Sequence, residues 1–294
     1  DVRTIGATTV GHQDGLYSAS ATQRRGERNR DTDFTYDRKD HAGGVNVQQG
    51  QNVTSVGHDD GRTDLNITRN RGEGQRTTSA THDNRDGSSS LTAQQGDNVL
   101  NASRAADGSL GLSTTRDRGE VDRQTDLRYN PDTHDASISA QQGDNKANLT
   151  HEGDKYRLEL NRDRDVHDRQ TTGEYDLGDH TGMFRAAQGD NVTSASRNAD
   201  GTVNLNIERD RGEGSRNTDF SWNPDKQTGG LTAREGENLT ALTRQQDGTY
   251  NVNIARDRGG QILQRNIGYN PDTNDGSVTF GQGRNTVAAS QTGD

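Results

Sequence analysis

Cysteine is absent from the 294 residues, so neither a disulfide framework nor a thiolate metal site is available. Proline occurs three times, methionine and tryptophan once each, and aromatic residues make up 4%. Apolar residues reach 24%, about half the level of an ordinary globular domain, so a thick multilayer core is excluded. No run approaches the ~18 apolar residues of a transmembrane helix, and no membrane span is expected. Lysine is confined to Lys39, Lys146, Lys155 and Lys226, which leaves arginine as nearly all of the 35 basic residues. The net charge of −10 argues against a nucleic-acid partner, because phosphate binding needs a basic surface. Low hydrophobicity with high charge is a signature of disorder. Here a strict periodicity opposes it.

Four turn signals recur in one order. The first is Gly-x-Asn at Gly50, Gly96, Gly143, Gly189, Gly236 and Gly283, spaced 46, 47, 46, 47 and 47 residues apart. The second is Asp-Gly at Gly15, Gly61, Gly108, Gly201 and Gly248, with Gly153 and Gly293 as variants. The third is Arg-x-Arg-Gly at Gly72, Gly119, Gly212 and Gly259, with Gly26 as a variant and Asp165 replacing the glycine once. The fourth follows an aromatic residue at Tyr36, Tyr129, Tyr175, Trp222 and Tyr269, with His82 standing in once. Asp-Gly and Gly-x-Asn supply residues that tolerate positive φ in tight hairpins, and Asn-Pro-Asp fixes one turn residue and offers an Asx hydrogen bond.

Between the turns, segments of eight to ten residues alternate apolar and polar, as in Leu65–Ile67, Leu205–Ile207 and Val252–Ile254. Short connections force neighbouring strands to be antiparallel. The sequence therefore predicts an all-β array over residues 1–294, with repeats starting at 50, 96, 143, 189, 236 and 283, partial units at both ends and a meander of about 24 strands. One face is apolar, and its burial is expected from a sheet wrapped into a sandwich, spiral or hollow shell. A six-bladed propeller has the right arithmetic of four strands and about 46 residues per blade. A transmembrane barrel accounts for the Tyr/Trp row but not for Ser, Asn and Asp facing lipid. The arginines are expected to pair with Asp and Glu across strands on the charged face. A start at Asp1 rather than Met reads as a mature protein or a piece of a longer array.

No residue stands out as catalytic, cofactor-binding or metal-ligating. Asn270-Pro271-Asp272-Thr273-Asn274-Asp275-Gly276 alternates oxygen ligands like a calcium loop, but its glycine falls one place late and no bidentate Glu follows. An Asx turn is the simpler reading. The eight histidines (His12, His41, His58, His82, His134, His151, His167 and His180) are expected in or beside turns, without ligand spacing. Ser and Asp are so abundant that a triad could be drawn anywhere, and no Gly-x-Ser-x-Gly elbow occurs. Sequons at Asn52, Asn66, Asn101, Asn148, Asn191 and Asn238 are read as turn and strand chemistry before glycosylation.

At the fourth turn the sequence resembles the YD repeats of RHS-type proteins, in Trp222-Asn223-Pro224-Asp225, Gly230-Leu231-Thr232 and Gly236-Glu237-Asn238, and in Tyr36-Asp37, Gly44-Val45 and Gly50-Gln51-Asn52. Here the turn is longer, the Gly-Arg-Leu element is missing and the unit is a double hairpin. The resemblance implies hairpins coiled into a hollow shell or a rigid surface module. The expected role is a non-enzymatic structural segment of a larger extracellular or secreted bacterial protein, a shell, stalk or fibre, partnered by itself or by other domains of its chain. The rival readings are an adhesin with glycans stacked on the Tyr36, Tyr129, Tyr175, Trp222 and Tyr269 row, and a propeller with a central ligand or catalytic site.

Overall fold

A computed structural model describes residues 5–25, 28–71, 74–163, 168–210, 212 and 214–293. Gly26, Gly72, Asp165 and His167, singled out above, lie outside the described residues. The chain divides into two units, Asp1–Gly143 and Asp144–Asp294. The first holds β1 (Ile5–Gln13), β2 (Leu16–Arg25), β3 (Arg28–Asp37), β4 (Ala42–Gln49), β5 (Asn52–Asp59), β6 (Arg62–Arg71), β7 (Gly74–Asp83), β8 (Ser89–Gln95), β9 (Asn98–Arg104), β10 (Leu110–Arg116), β11 (Arg123–Tyr129) and β12 (Ala136–Gln142). The second holds β13 (Asn145–Glu152), β14 (Lys155–Arg162), β15 (Arg169–Asp176), β16 (Thr181–Gln188), β17 (Asn191–Arg197), β18 (Val203–Arg209), β19 (Arg216–Asn223), β20 (Thr228–Glu235), β21 (Asn238–Arg244), β22 (Tyr250–Asp257), β23 (Ile262–Asn270), β24 (Asp275–Gln282) and β25 (Asn285–Gln291). No helix occurs among the described residues. Each repeat contributes four strands, called A to D in the order in which β5 to β8 follow the Gly-x-Asn turn.

The all-β antiparallel meander that the turns predict is what forms. Within each unit the expected cover for its apolar face does not form. In each unit strands touch only their neighbours in sequence, so neither a second sheet nor a blade lies on them. Among the described residues no hydrophobic side chain is buried. Among the described residues β1 pairs only with β2 and β25 only with β24 within their units.

Register explains how a single layer coheres. One residue from each strand of the first unit joins a continuous ladder: Val10, Ala19, Phe34, Val45, Val56, Leu65, Ala80, Leu91, Ala102, Leu112, Leu127 and Ile138. The second unit has its own: Leu149, Leu158, Gly173, Phe184, Ala195, Leu205, Phe220, Leu231, Leu242, Val252, Ile267, Val278 and Ala289. Direct cross-strand neighbours of this kind contribute roughly 0.2–1 kcal/mol per pair. Their shelter is lateral. Val10 on the edge strand is 77% exposed, whereas Val45 and Leu112 inside the ladder are 39% and 42% exposed.

The turns hold this register. At Gly50, Gly96, Gly189, Gly236 and Gly283 two residues join paired strand ends, with φ of 56–60° at the glycine alone, which is a type II′ hairpin. The asparagine that follows is not a positive-φ residue, contrary to its reading as turn chemistry. It opens strand A, and its side-chain oxygen accepts a backbone N–H at the end of strand B: Asn52 from Asn70, Asn98 from Asp117, Asn145 from Asp163, Asn191 from Asp210 and Asn238 from Asp257, at 2.7–3.1 Å.

The difference between 46 and 47 residues has one source. Along the ladder the B-to-C, C-to-D and D-to-A steps keep constant lengths, and only the A-to-B step changes. The 46-residue repeats use two-residue turns at Asp60-Gly61 and Gly153-Asp154. The 47-residue repeats use three-residue loops closed by Asp107-Gly108, Asp200-Gly201 and Asp247-Gly248, with a bond such as Ala105 N–H to Ser109 C=O at 2.8 Å. The C-to-D turn changes in step. Opposite a two-residue turn, including Asp14-Gly15, stands Asp followed by a residue other than proline, whose N–H reaches the turn: Arg38 to Gly15 O, Asn84 to Gly61 O and Leu177 to Asp154 O, at 2.8–3.1 Å. Opposite a three-residue loop stands Asn-Pro. Proline has no N–H to give. In the last two such repeats the asparagine amide donates instead, from Asn223 to Thr202 Oγ1 at 2.8 Å and from Asn270 to Thr249 Oγ1 at 3.2 Å.

Asn223 is 5% exposed, and its amide also points at Asp200 Oδ2 from 3.3 Å. Replacing it with Asp removes the donor and sets two carboxylates together. N223D is expected to lower stability to urea by about 1–3 kcal/mol, while D176N, at a turn stitched by backbone, stays within about 0.5 kcal/mol of wild type.

Candidate functional site

One strand end of the apolar face carries a row of rungs built from four strands. Strand C supplies Tyr36, His82, Tyr129, Tyr175, Trp222 and Tyr269, so the aromatic row of the sequence is one line within each unit. Strand D places Gly43, Gly182, Gly229 or Gly276 beside the ring in four repeats, and Ser89 or Ala136 in the other two. Strand A then brings a basic residue, His58, Arg104, Arg197 or Arg244, and strand B often another ring, such as Tyr17, Tyr156 or Tyr250.

The glycines are there for the rings. A Cβ at Gly229 would stand 2.5 Å from the Ser221 carbonyl oxygen and 2.7 Å from Trp222 Cε3, and one at Gly182 would stand 2.8 Å from Tyr175 Cδ2. The ring lies across the bare backbone of the next strand. Beyond it Arg244 reaches back, its guanidinium 5.9 Å from the Trp222 ring centre and 5.5 Å from that of Tyr250. It also donates to Gln227 Oε1 at 3.2 Å. His12 on Tyr17 and His151 on Tyr156 repeat the contact, with centroids 4.3 and 4.4 Å apart. Cation–π contacts at such exposed sites contribute about 0.5–1 kcal/mol. Tyr269 is the exception: nothing of its ring lies within 4 Å of a Cβ at Gly276, and its hydroxyl approaches Asn274 at 3.4 Å.

The histidines divide into two groups. His41, His134 and His180 take the last place of the C-to-D turn with φ of 51–62°, where Gln227 and Asn274 sit in other repeats. His12, His58, His82 and His151 belong to the rungs rather than to turns, which corrects the turn-surface reading for them. Among the described residues no cluster of three or more His, Asp or Glu could hold a metal ion. The calcium-like segment is an Asx turn, in which Asn270 Oδ1 accepts the N–H groups of Asp272 and Thr273 at 2.9 and 3.3 Å.

The expected lattice of Arg–carboxylate pairs is sparse. Cross-strand pairs join Lys155 to Asp176 and Arg157 to Glu174, and Arg85 binds Asp83 and Asp60 across the turns. The polar face is tied instead by short neutral and Asp-centred bonds, such as Ser20 to Asp33 and Asn206 to Asp219. In the A-to-B loops Asp107 and Asp247 accept the N–H of Ser109 and Thr249, and these bonds hold both carboxyls below the usual range. Asp83 is held lower still by its bonds to Arg85.

No protein-family model matches the chain, and no curated protein matches it.

The rungs generate a paired test. G229A is expected to displace Trp222, shifting its fluorescence to the red and costing about 1–3 kcal/mol. In G276A the nearest atom to the new Cβ is 3.9 Å away, and stability changes by less than about 0.5 kcal/mol. The carboxyls give a second test. Their folded pKa values lie below the ordinary aspartate value of 3.8, so their contribution is complete above that pH and is lost as pH falls through the folded values. The urea midpoint is expected to hold level from neutrality to about pH 5 and to decline below about pH 4. A midpoint that rises on acidification would contradict these turns.

Proposed function

We propose that the chain is a non-enzymatic structural repeat segment, a shell, stalk or fibre piece of a larger extracellular bacterial protein. The observation that carries this reading is the unbroken ladder with its stitched turns, in which each repeat answers only to its neighbours. Departures from the repeat, such as Gly173 in the ladder or His82 in the aromatic row, are single exchanges on an open surface. None assembles a nucleophile, base and oxyanion donors around one enclosed point. Likeness to YD repeats points the same way, since a meander of hairpins serves there as a wall or a surface module.

The adhesin reading rests on the same rings. Trp222 and Tyr250 are already in contact with Arg244, and Tyr17 and Tyr36 lie side by side with centroids 6.5 Å apart. This lateral packing favours rungs that brace the sheet over rings held out for a sugar.

Nearest-neighbour scaffolds tolerate loss of a whole repeat. Deletion of residues 189–235 joins Gln188 to Gly236-Glu237-Asn238 and restores a D-to-A turn. The shortened protein is expected to stay soluble, with an unchanged far-ultraviolet β spectrum per residue and one cooperative unfolding transition. Collapse of the remaining repeats would refute the scaffold reading, as would a turnover activity abolished by one point substitution.

A further inference from the structure

The apolar face carries a charge pattern that bracing does not require. At the strand ends opposite the rungs, strands B and C set arginines directly across from each other: Arg69 and Arg76, Arg116 and Arg123, Arg162 and Arg169, Arg209 and Arg216. Like charges in direct cross-strand register are destabilising. All eight are exposed, and among the described residues none has a carboxylate within 4 Å. Asp97 and Asp190 in the D-to-A turns at this end stay beyond ion-pair distance of any described arginine. A second cationic line, Arg104, Arg197 and Arg244, borders the face at its other end. Between the two lines run the aliphatic ladder and a row of Thr, Ala and Ile.

Acids avoid this face. On its described strand positions the first unit has no carboxylate, and the second has only Glu235. Strand carboxylates such as Asp33, Asp64, Asp126, Glu159, Glu174 and Asp219 lie on the other face. In a chain of net charge −10, each unit thus presents a cation-rimmed apolar face.

We propose that this face binds an anionic lipid surface, with the aliphatic ladder entering the headgroup boundary and the arginine lines holding lipid phosphates. Charge and chemistry select this occupant. A second copy of the same face would bring cationic rims together in either orientation. A soluble polyanion would meet the arginines but leave the Leu, Ile, Val and Phe ladder uncovered. Strand spacing and rise give the face of the first unit roughly 55 by 20 Å, on the order of 1,000 Å², which is interface-sized rather than sugar-sized. The sheet satisfies its own backbone groups at the ladder, Tyr and Trp suit the headgroup level, and arginine stems let the charges rise to phosphate.

The test is sedimentation of the full chain with vesicles of phosphatidylcholine alone and of phosphatidylcholine mixed with phosphatidylglycerol. Binding is expected to the mixed vesicles only and to weaken as salt is raised. R69Q/R76Q/R209Q/R216Q relieves like-charge pairs, so its sheet is retained, and its partitioning is expected to fall by more than about tenfold. L112N/L205N, checked for an unchanged β spectrum, is expected to lose vesicle binding while any retention on dextran sulfate persists. Failure to bind mixed vesicles overturns the proposal, as does a quadruple arginine variant that binds like wild type. Leucine variants that bind undiminished would make this a soluble-polyanion site. Lipid-free dimerisation abolished by L112N/L205N would assign the face to a second copy.

Discussion

A sheet one layer thick has no interior, and this condition governs the whole structure. A side chain on such a sheet can be sheltered only by the side chains beside it. Burial therefore becomes a question of register. If one strand slipped by a single residue, its ladder side chain would move to the polar face and both neighbours would lose their contact. In a sandwich the facing layer would resist that slip. Here the turns must.

This accounts for the heavy investment of sequence in turn residues. Seventeen of the described glycines take positive φ, all of them between strands, and Asp and Asn side chains close turns beside them. Each turn is tied to the next strand end or turn at its own edge of the sheet, the D-to-A turn by Asn52 and its counterparts to the end of strand B and the C-to-D turn to the A-to-B turn. The stitches can be exchanged. Where the A-to-B loop gains a residue, proline appears opposite it, the backbone donor is lost, and in Asn223 and Asn270 a side-chain amide replaces it. Two loops that never meet in sequence vary together because they share one hydrogen bond.

The repeat, its strands and the sites of its turns were legible in the sequence, because glycine and Asx spacing and period-two alternation are local signals. The open layer was not. An apolar face implies a cover, and nothing local says that lateral contact will stand in for it. The rungs were half legible. Tyr36 and its equivalents announced themselves, but no local signal marked Gly229 or Arg244. Their roles follow only from pairing, which sets Gly229 against Trp222 on one side and Arg244 on the other. The basic residues His58, Arg104, His151, Arg197 and Arg244 recur at the repeat interval, and that periodicity was the available signal.

The same blindness applied to charge. Counted along the chain, Arg, Asp and Glu look evenly mixed, and an even mixture invites the picture of paired ions. Alternation sorts them. Residues two apart share a face, so Ile67 and Arg69 stand together and Asp64 stands on the opposite side. Sorting of this kind is costly for a sheet alone, because it separates opposite charges and sets like charges in register. A bracing role explains Arg244, whose cation two rings receive. It does not explain Arg209 against Arg216, which have neither ring nor acid beside them among the described residues. Charges with no described partner on an apolar border, repeat after repeat, are what the proposed anionic surface would pair with.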